Sequence, residues 1–425
     1  MTANALQPFH ELGLLVESRW RAADYDERRL PEIAETALRE VSLPGRADPW
    51  NALRGLRTAE PLPEQRDRDA RFSDLPLTVY NGSRFYIDLY YWLDGTTEIH
   101  QHAFAGAFQV FTGSSLHSRY AFARKSEINP HFLTGCLSLK GVEILTAGDI
   151  RQIHPGTEFV HSLFHLERPS ITLTVRSQHT PTAAPQYAYL KPFFAIDPFH
   201  QDPARSKKVQ AASLLLKMRH PEAQALVGDL LAESDFQTAF HLIETATSLL
   251  TDRSLGRALG LAAGEDLMRD LIERARARHG SLLDLVTPVL DERRRQSEIA
   301  RRRSAITSDE HRFLLALLLN VTDRTTVIDL VARRFPERDA VETIVDWVQE
   351  LGTTKELGAS GNVLGIAGWD DDHVFVFECL LRGLSEAGIA IEITRQYPNA
   401  HGPELQARAA RIATPSRTPP CSGPP

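Results

Sequence analysis

Residues 96–113 read TTEIHQHAFAGAFQVFTG. His100 and His102 stand two apart in a run of strand character, and the period-two alternation of a strand sends both imidazoles to one face. The run AFQVFT that follows carries Gln109 and closes on a Gly113-Ser114 turn signal. Two imidazoles projecting together from a concave sheet make half of a metal site. An isolated pair of this kind is more often chance, so its meaning depends on the surrounding chain.

Working outward, residues 78–195 lack helical periodicity. Short β-rich runs replace it: LTVY, RFYIDLYYW, AFQVFT, SLHSRYAF, CLSLKGVEIL, IRQIH and SITLTVR, with Asn81-Gly82, Asp94-Gly95, Gly148-Asp149 and Pro155-Gly156 between them. Short strands with such turns predict an antiparallel sandwich or barrel. A second histidine segment, AGDIRQIHPGTEFVHSLFHLERPSITLTV (147–175), lies about 60 residues beyond the first and offers His154, His161 and His165. Of the 16 histidines in the chain, nine fall between His100 and His200, so the cluster is not spread by chance composition. A third imidazole from another strand completes a facial three-nitrogen site with open positions. Such a site suits iron(II), or less specifically zinc or another divalent metal.

The pattern Gly95-x4-His100-x-His102, then Gly113, then Gly148-Asp149-x5-Pro155-Gly156-x4-His161 resembles the paired motifs of the cupin superfamily, β-barrels with a metal at their centre. The common motif also has a glutamate ligand, and its position here is Gly106. The chain resembles instead the thiol dioxygenases (cysteine dioxygenase and 3-mercaptopropionate dioxygenase), which bind iron through three histidines. The spacing His102-x3-Gly106-x6-Gly113 is similar to the mercaptopropionate type, as is FYIDLYYW before the pair. The resemblance implies metal ligands His100, His102 and His161, with Tyr90 and Trp92 facing the pocket. His165 stands where the family has an asparagine behind the ligands, and His154 would sit on the rim. The resemblance covers about residues 78–190. The Ser, His, Tyr relay of the family is replaced by Thr172, Thr174 and Arg176, and the arginine that clamps the substrate carboxylate has no clear counterpart, Arg84 being only nearby. Arg176 could itself hold a carboxylate bidentately, or form a salt bridge at the barrel mouth. Tyr90, Trp92, Gln109, Tyr120 and Arg176 are candidate orienting groups.

The remaining chain reads as helical. Residues 1–42 form N-terminal helices and 43–77, with five prolines, a linker. The barrel follows at 78–195, and 203–400 is an α-helical region, apart from a Gly-rich loop at 352–368 and a possible strand at IAIEITRQY (389–397). Residues 402–425 read as a flexible tail. Within the helical region 307–350 loosely resembles a winged-helix unit, with Thr307 and Glu310 spaced as a capping box. That stretch has five Arg or Lys against nine Asp or Glu, and the whole chain carries a net charge of −7, the wrong sign for binding phosphates. Asp370-Asp371-Asp372-His373 has metal-ligand types but sits where a helix should begin, where acidic residues favour the dipole. Three cysteines without a CxxC pair argue against a disulfide scaffold or a cysteine zinc site. No Walker A or dinucleotide motif points to a nucleotide cofactor. No apolar run long enough to span a membrane and no secretion signal is visible, so a cytoplasmic location is expected.

These readings together predict an α+β chain: an antiparallel cupin barrel (jelly roll), an N-terminal helical arm and a large C-terminal all-α region. The leading expectation is a non-heme iron(II) oxygenase or dioxygenase using O2 on a small anionic substrate, possibly a thiol or amino-acid derivative. The rivals are a non-catalytic metal-binding cupin acting as sensor or scaffold, and a zinc cupin with non-oxidative chemistry. The helical region could form a homodimer or bind a protein partner.

Overall fold

The alternating pattern of the middle third folds into eleven strands among the described residues of the computed structural model, which are 6–56, 62–69, 72–178, 185–251, 261–303, 305–354, 362–364 and 369–396. They are β1 (Leu75–Asn81), β2 (Phe85–Trp92), β3 (His100–His102), β4 (Gly106–Thr112), β5 (Ser114–Asn129), β6 (Phe132–Thr146), β7 (Ile150–Ile153), β8 (Gly156–His165), β9 (Ser170–Ser177), β10 (Ala188–Leu190) and β11 (Phe194–Ile196). One antiparallel sheet runs β1-β2-β9-β4-β7, and a closed barrel runs β10-β11-β6-β5-β8-β3. The fold is thus mixed α+β with a six-stranded antiparallel barrel. Gly113 turns β4 into β5 at φ +83°, and a Cβ there would come within 2.7 Å of the Ser170 hydroxyl. Only glycine meets both demands cheaply.

The helices cover the strands on two sides. Helices α1 (Gln7–Ala22) and α2 (Leu30–Val41) place Phe9, Leu12, Val16, Trp20, Ile33 and Leu38 against Leu77, Ile87, Leu89, Leu173 and Val175 of the five-stranded sheet. The N-terminal helices are therefore a packed layer on the sheet. The segment read as a linker is largely structured too. It contains the short helix α3 (Pro49–Gly55), and Gln65 is tied to β1, accepting from the Thr78 N–H at 2.9 Å and donating to the Thr78 carbonyl at 3.0 Å.

On the barrel side, α4 (Pro203–Met218), α5 (Ala223–Glu233), α6 (Phe236–Thr251), α7 (Leu261–His279) and α8 (Val286–Arg302) share a core with Phe132, Phe194 and Ile196. A second helical core gathers α9 (Asp309–Asn320), α10 (Arg324–Arg334), α11 (Ala340–Thr353) and α12 (Asp371–Leu381) around Leu116, Phe164 and Leu166. Asp370 caps α12, its carboxylate accepting from the His373 N–H, as expected for an acidic helix start. Two local expectations fail. The capping box at Thr307 does not form: α9 begins one residue later, with Ser308 at its N-cap, and Glu310 instead accepts from Arg338 and Trp347. The stretch read as a last strand is helix α13 (Glu386–Gln396), in which Ile389 and Ile393 pack on Val376 and Cys379 at helical spacing. The tail at 402–425, His179 and most of 352–368 lie outside the described residues. Among the described residues no helix is long and apolar enough to cross a membrane.

Phe132 joins the two halves, with its ring 5.0 to 5.7 Å from those of Phe194, Phe236 and Phe240 and no exposure. Replacing it with alanine should lower stability by about 3–5 kcal/mol, read as the shift in urea-unfolding free energy. A loss under about 1 kcal/mol would show that the helices do not rest on this strand.

Candidate metal centre

Strand β3 is three residues long and lies between β8 and β10. Its antiparallel register sets His100 opposite His161, and the loop before it is pinned by Thr97, whose hydroxyl accepts from the Leu163 N–H at 2.7 Å. One ring nitrogen from each of His100, His102 and His161 falls within 4.8 Å of the others, with His102 Nε2 and His161 Nε2 at 2.9 Å. All three rings are buried. Burial is the first cause that holds each of them below the usual imidazole range, His100 at about 4 and His102 and His161 well below the ordinary value. They are therefore neutral ligands at physiological pH.

The hydrogen bonds select which nitrogens face the centre. His100 Nδ1 lies 2.8 Å from the Glu98 carbonyl, which only accepts, so Nδ1 carries the proton and the buried, unpartnered Nε2 keeps its lone pair. Behind His161 stands His117, a residue that the sequence analysis does not single out. His117 is fully buried; its Nδ1 is 2.9 Å from Glu143 and its Nε2 is 3.1 Å from His161 Nδ1. Glu143 is held well below the usual carboxylate range, first by His117 and then by Arg151, whose Nε donates to it at 2.9 Å. An ionised Glu143 accepts the His117 Nδ1–H. The neutral His117 must then accept at Nε2 from His161 Nδ1–H, which leaves the His161 Nε2 lone pair free for a metal. This carboxylate–histidine–histidine chain orients a ligand from behind. The signal was hidden because Glu143 meets His117 only through the β5–β6 register.

No carboxylate can join the set at the position where the common cupin pattern has one. A Cβ on Gly106 would lie 1.9 Å from the Val175 carbonyl oxygen, because β4 and β9 pair there backbone to backbone. The donor set is three neutral imidazoles, which fits a first-row divalent ion and leaves its charge uncompensated.

A cavity of about 490 Å³ opens above the three rings. Tyr90, Trp92 and Arg176 line it, as do Thr172 and Thr174 at the alternate positions of β9. Trp92 donates to the Thr172 hydroxyl at 3.0 Å, and the Tyr90 hydroxyl donates to buried Asp88 at 2.9 Å. Gln109 is not among the lining residues: it alternates away with Ala107 and donates to the Gly148 carbonyl at 3.2 Å. Tyr120 packs elsewhere in the barrel. His165 stacks on Trp92 at 4.5 Å, with its Nδ1 on Ser115, and burial holds it neutral down to about 3. His154 bonds Gln152 and does not line the cavity. Arg66, Asp67, Arg68, Asp69 and Phe72, from the segment read as a linker, complete the lining.

No family model matches the chain, and no curated protein matches its sequence.

Two outcomes follow. His117→Ala should weaken divalent-metal binding about 10–100-fold, measured by chelator competition, and unchanged affinity would remove the orienting role. The buried imidazoles also set a pH dependence in the metal-free protein. They protonate near pH 6.5 in the unfolded chain but lower in the folded one. Their burial is neutral to stability above pH 6.5 and destabilises as pH falls toward about 4, where His100 itself titrates. Urea midpoints should drop steadily between these limits, and a flat profile would mean that the rings are not buried in solution.

Proposed function

We propose that this chain is a cupin-type non-heme iron(II) oxygenase that acts on an organic anion. The observation that carries this reading is the convergence of three neutral imidazoles, without a carboxylate, at the floor of a cavity that also holds a guanidinium. His100, His102 and His161 would hold the ion. When bound, iron(II) there supplies Lewis acidity and one-electron chemistry toward dioxygen at positions that three protein ligands leave open.

The protein's own groups account for selection and protection. Arg176, on the same face of β9 as Thr172 and Thr174, would receive the anionic end of a substrate through its planar fork. Trp92 is fixed between the Thr172 hydroxyl and the His165 ring, so it forms a rigid wall of the cavity. Phe72 packs edge-on against Tyr90, Trp92 and His100, with centroids 5.4 to 5.9 Å away, and narrows the approach to the rings. The Tyr90 hydroxyl is committed to Asp88, so Tyr90 presents its ring rather than its proton to the cavity.

Metal analysis of the protein purified without oxygen should find iron, and oxygen consumption against a panel of thiol and carboxylic acids should find an uptake that depends on it. His100→Ala and His161→Ala should each abolish metal retention and uptake, with activity at least 100-fold down, while His373→Ala, on the distant helix cap, should leave both unchanged. Zinc in place of iron, with no oxygen uptake, would sink the oxygenase reading and favour non-oxidative chemistry. Full metal content in His161→Ala would remove the third ligand.

A further inference from the structure

The two walls of the cavity differ in chemistry, and the difference describes a ligand. On β9, the Arg176 guanidinium lies 3.5 Å over the Phe104 ring and 5.1 Å from the Tyr86 ring. Its Nε is buried and has no hydrogen-bond partner. The buried Asp88 carboxylate, which accepts from Thr78 and Tyr90, acts on it only through space. Rings on its flanks and a through-space carboxylate compensate the cation only partly and leave its Nε–H without an acceptor, an arrangement that favours a planar anion over a point charge. Thr174 stands two residues before it on the same strand face and also lines the cavity. The Thr172 hydroxyl beyond accepts from Trp92 and keeps its own O–H to donate.

A second stretch of the wall is apolar and buried, whereas Arg66, Arg68 and Asp69, which also line the cavity, are exposed. Phe104, Phe108, Ile153 and Leu163 line the cavity and belong to one buried cluster. Phe104 touches both the guanidinium and the imidazoles, its ring centroid lying 4.5 Å from that of His102. A ligand held on Arg176 that reaches toward the three histidines shares the cavity with these apolar side chains. The cavity, at about 490 Å³, falls in the range of sites that enclose ligands much larger than a three-carbon acid. A small, wholly polar acid would leave Phe108, Ile153 and Leu163 facing water, whereas an apolar body would remove that surface from water.

We propose that the substrate is a carboxylic acid with an aryl or branched-alkyl body. Its carboxylate is bound by Arg176 with Thr174, and its body lies on the Phe108, Ile153 and Leu163 wall. The proposal rests on the metal-centre reading for where the reaction takes place, but binding by this wall and guanidinium does not need the metal.

The test is therefore made on the full chain after chelator treatment, by calorimetric titration with three probes: 3-phenylpropionate, propionate and 3-phenylpropanamide. Phenylpropionate should bind at least tenfold more tightly than either of the others. Arg176→Gln should erase the preference for the acid over the amide. Leu163→Ala should weaken phenylpropionate several-fold and leave propionate unchanged. Phenylpropionate binding no tighter than propionate, equal affinity for acid and amide, or no saturable binding in the wild-type protein would each overturn the proposal without reference to any variant's folding. Failure of the metal reading shows separately, as metal retained by His161→Ala, and leaves these titrations unaffected.

Discussion

The pairing of β3 with β8 is the constraint on which the rest of the site depends. β3 contributes only three residues, and its register shifts within that length, His100 meeting His161 while His102 meets Gly156. A slip of one residue in so short a strand would send both imidazoles to the opposite face. The strand cannot supply this precision from its own ladder. It is held on one side by β8, on the other by Ala188 of β10, and ahead of it by the Thr97 contacts with Leu163.

The loop leading into β3 is also gripped from the helical layer. Arg312 on α9, almost wholly buried, donates to Asp94 at 3.0 Å, and Arg303 beyond α8 donates to the Gly95 carbonyl at 2.7 Å and to the Thr96 hydroxyl. Burial is the first cause that lowers the Arg303 guanidinium to about 9, and the nearby Arg312 adds to it. Two buried cations that share one carboxylate are poor contributors to net stability. What they do supply is directional: several donors in fixed planes locate the turn at Asp94-Gly95 relative to the helices. The C-terminal helices thus bear on the geometry of the ligand strand although none of their side chains is a ligand.

Much of the barrel was legible because alternation and turn residues are local signals. The convergence of His100, His102 and His161 was legible because their spacing resembles a known pattern. What was hidden depended on partners far apart in the chain. His117 looks like any strand histidine until β6 brings Glu143 across from it. The segment around Gln65 and Phe72 reads as a linker because its prolines and charges lack a period, yet it docks through side-chain contacts to β1 and to the aromatic rings of β2. The last strand reading failed because IAIEITRQ alternates in short range while its isoleucines also satisfy helical spacing, and packing on Val376 and Cys379 decided between the two. Gln109 lay on the right strand with the wrong parity.

Gly106 carries a consequence for descent. Where two backbones approach so closely, no side chain can be inserted without moving β4 away from β9, and those strands also present Phe108 and Arg176 to the same cavity. A codon change at position 106 therefore cannot by itself add an acidic fourth donor to the three histidines. Any lineage sharing this strand spacing keeps position 106 bare, and the chemistry of the cavity diversifies through the other residues that line it.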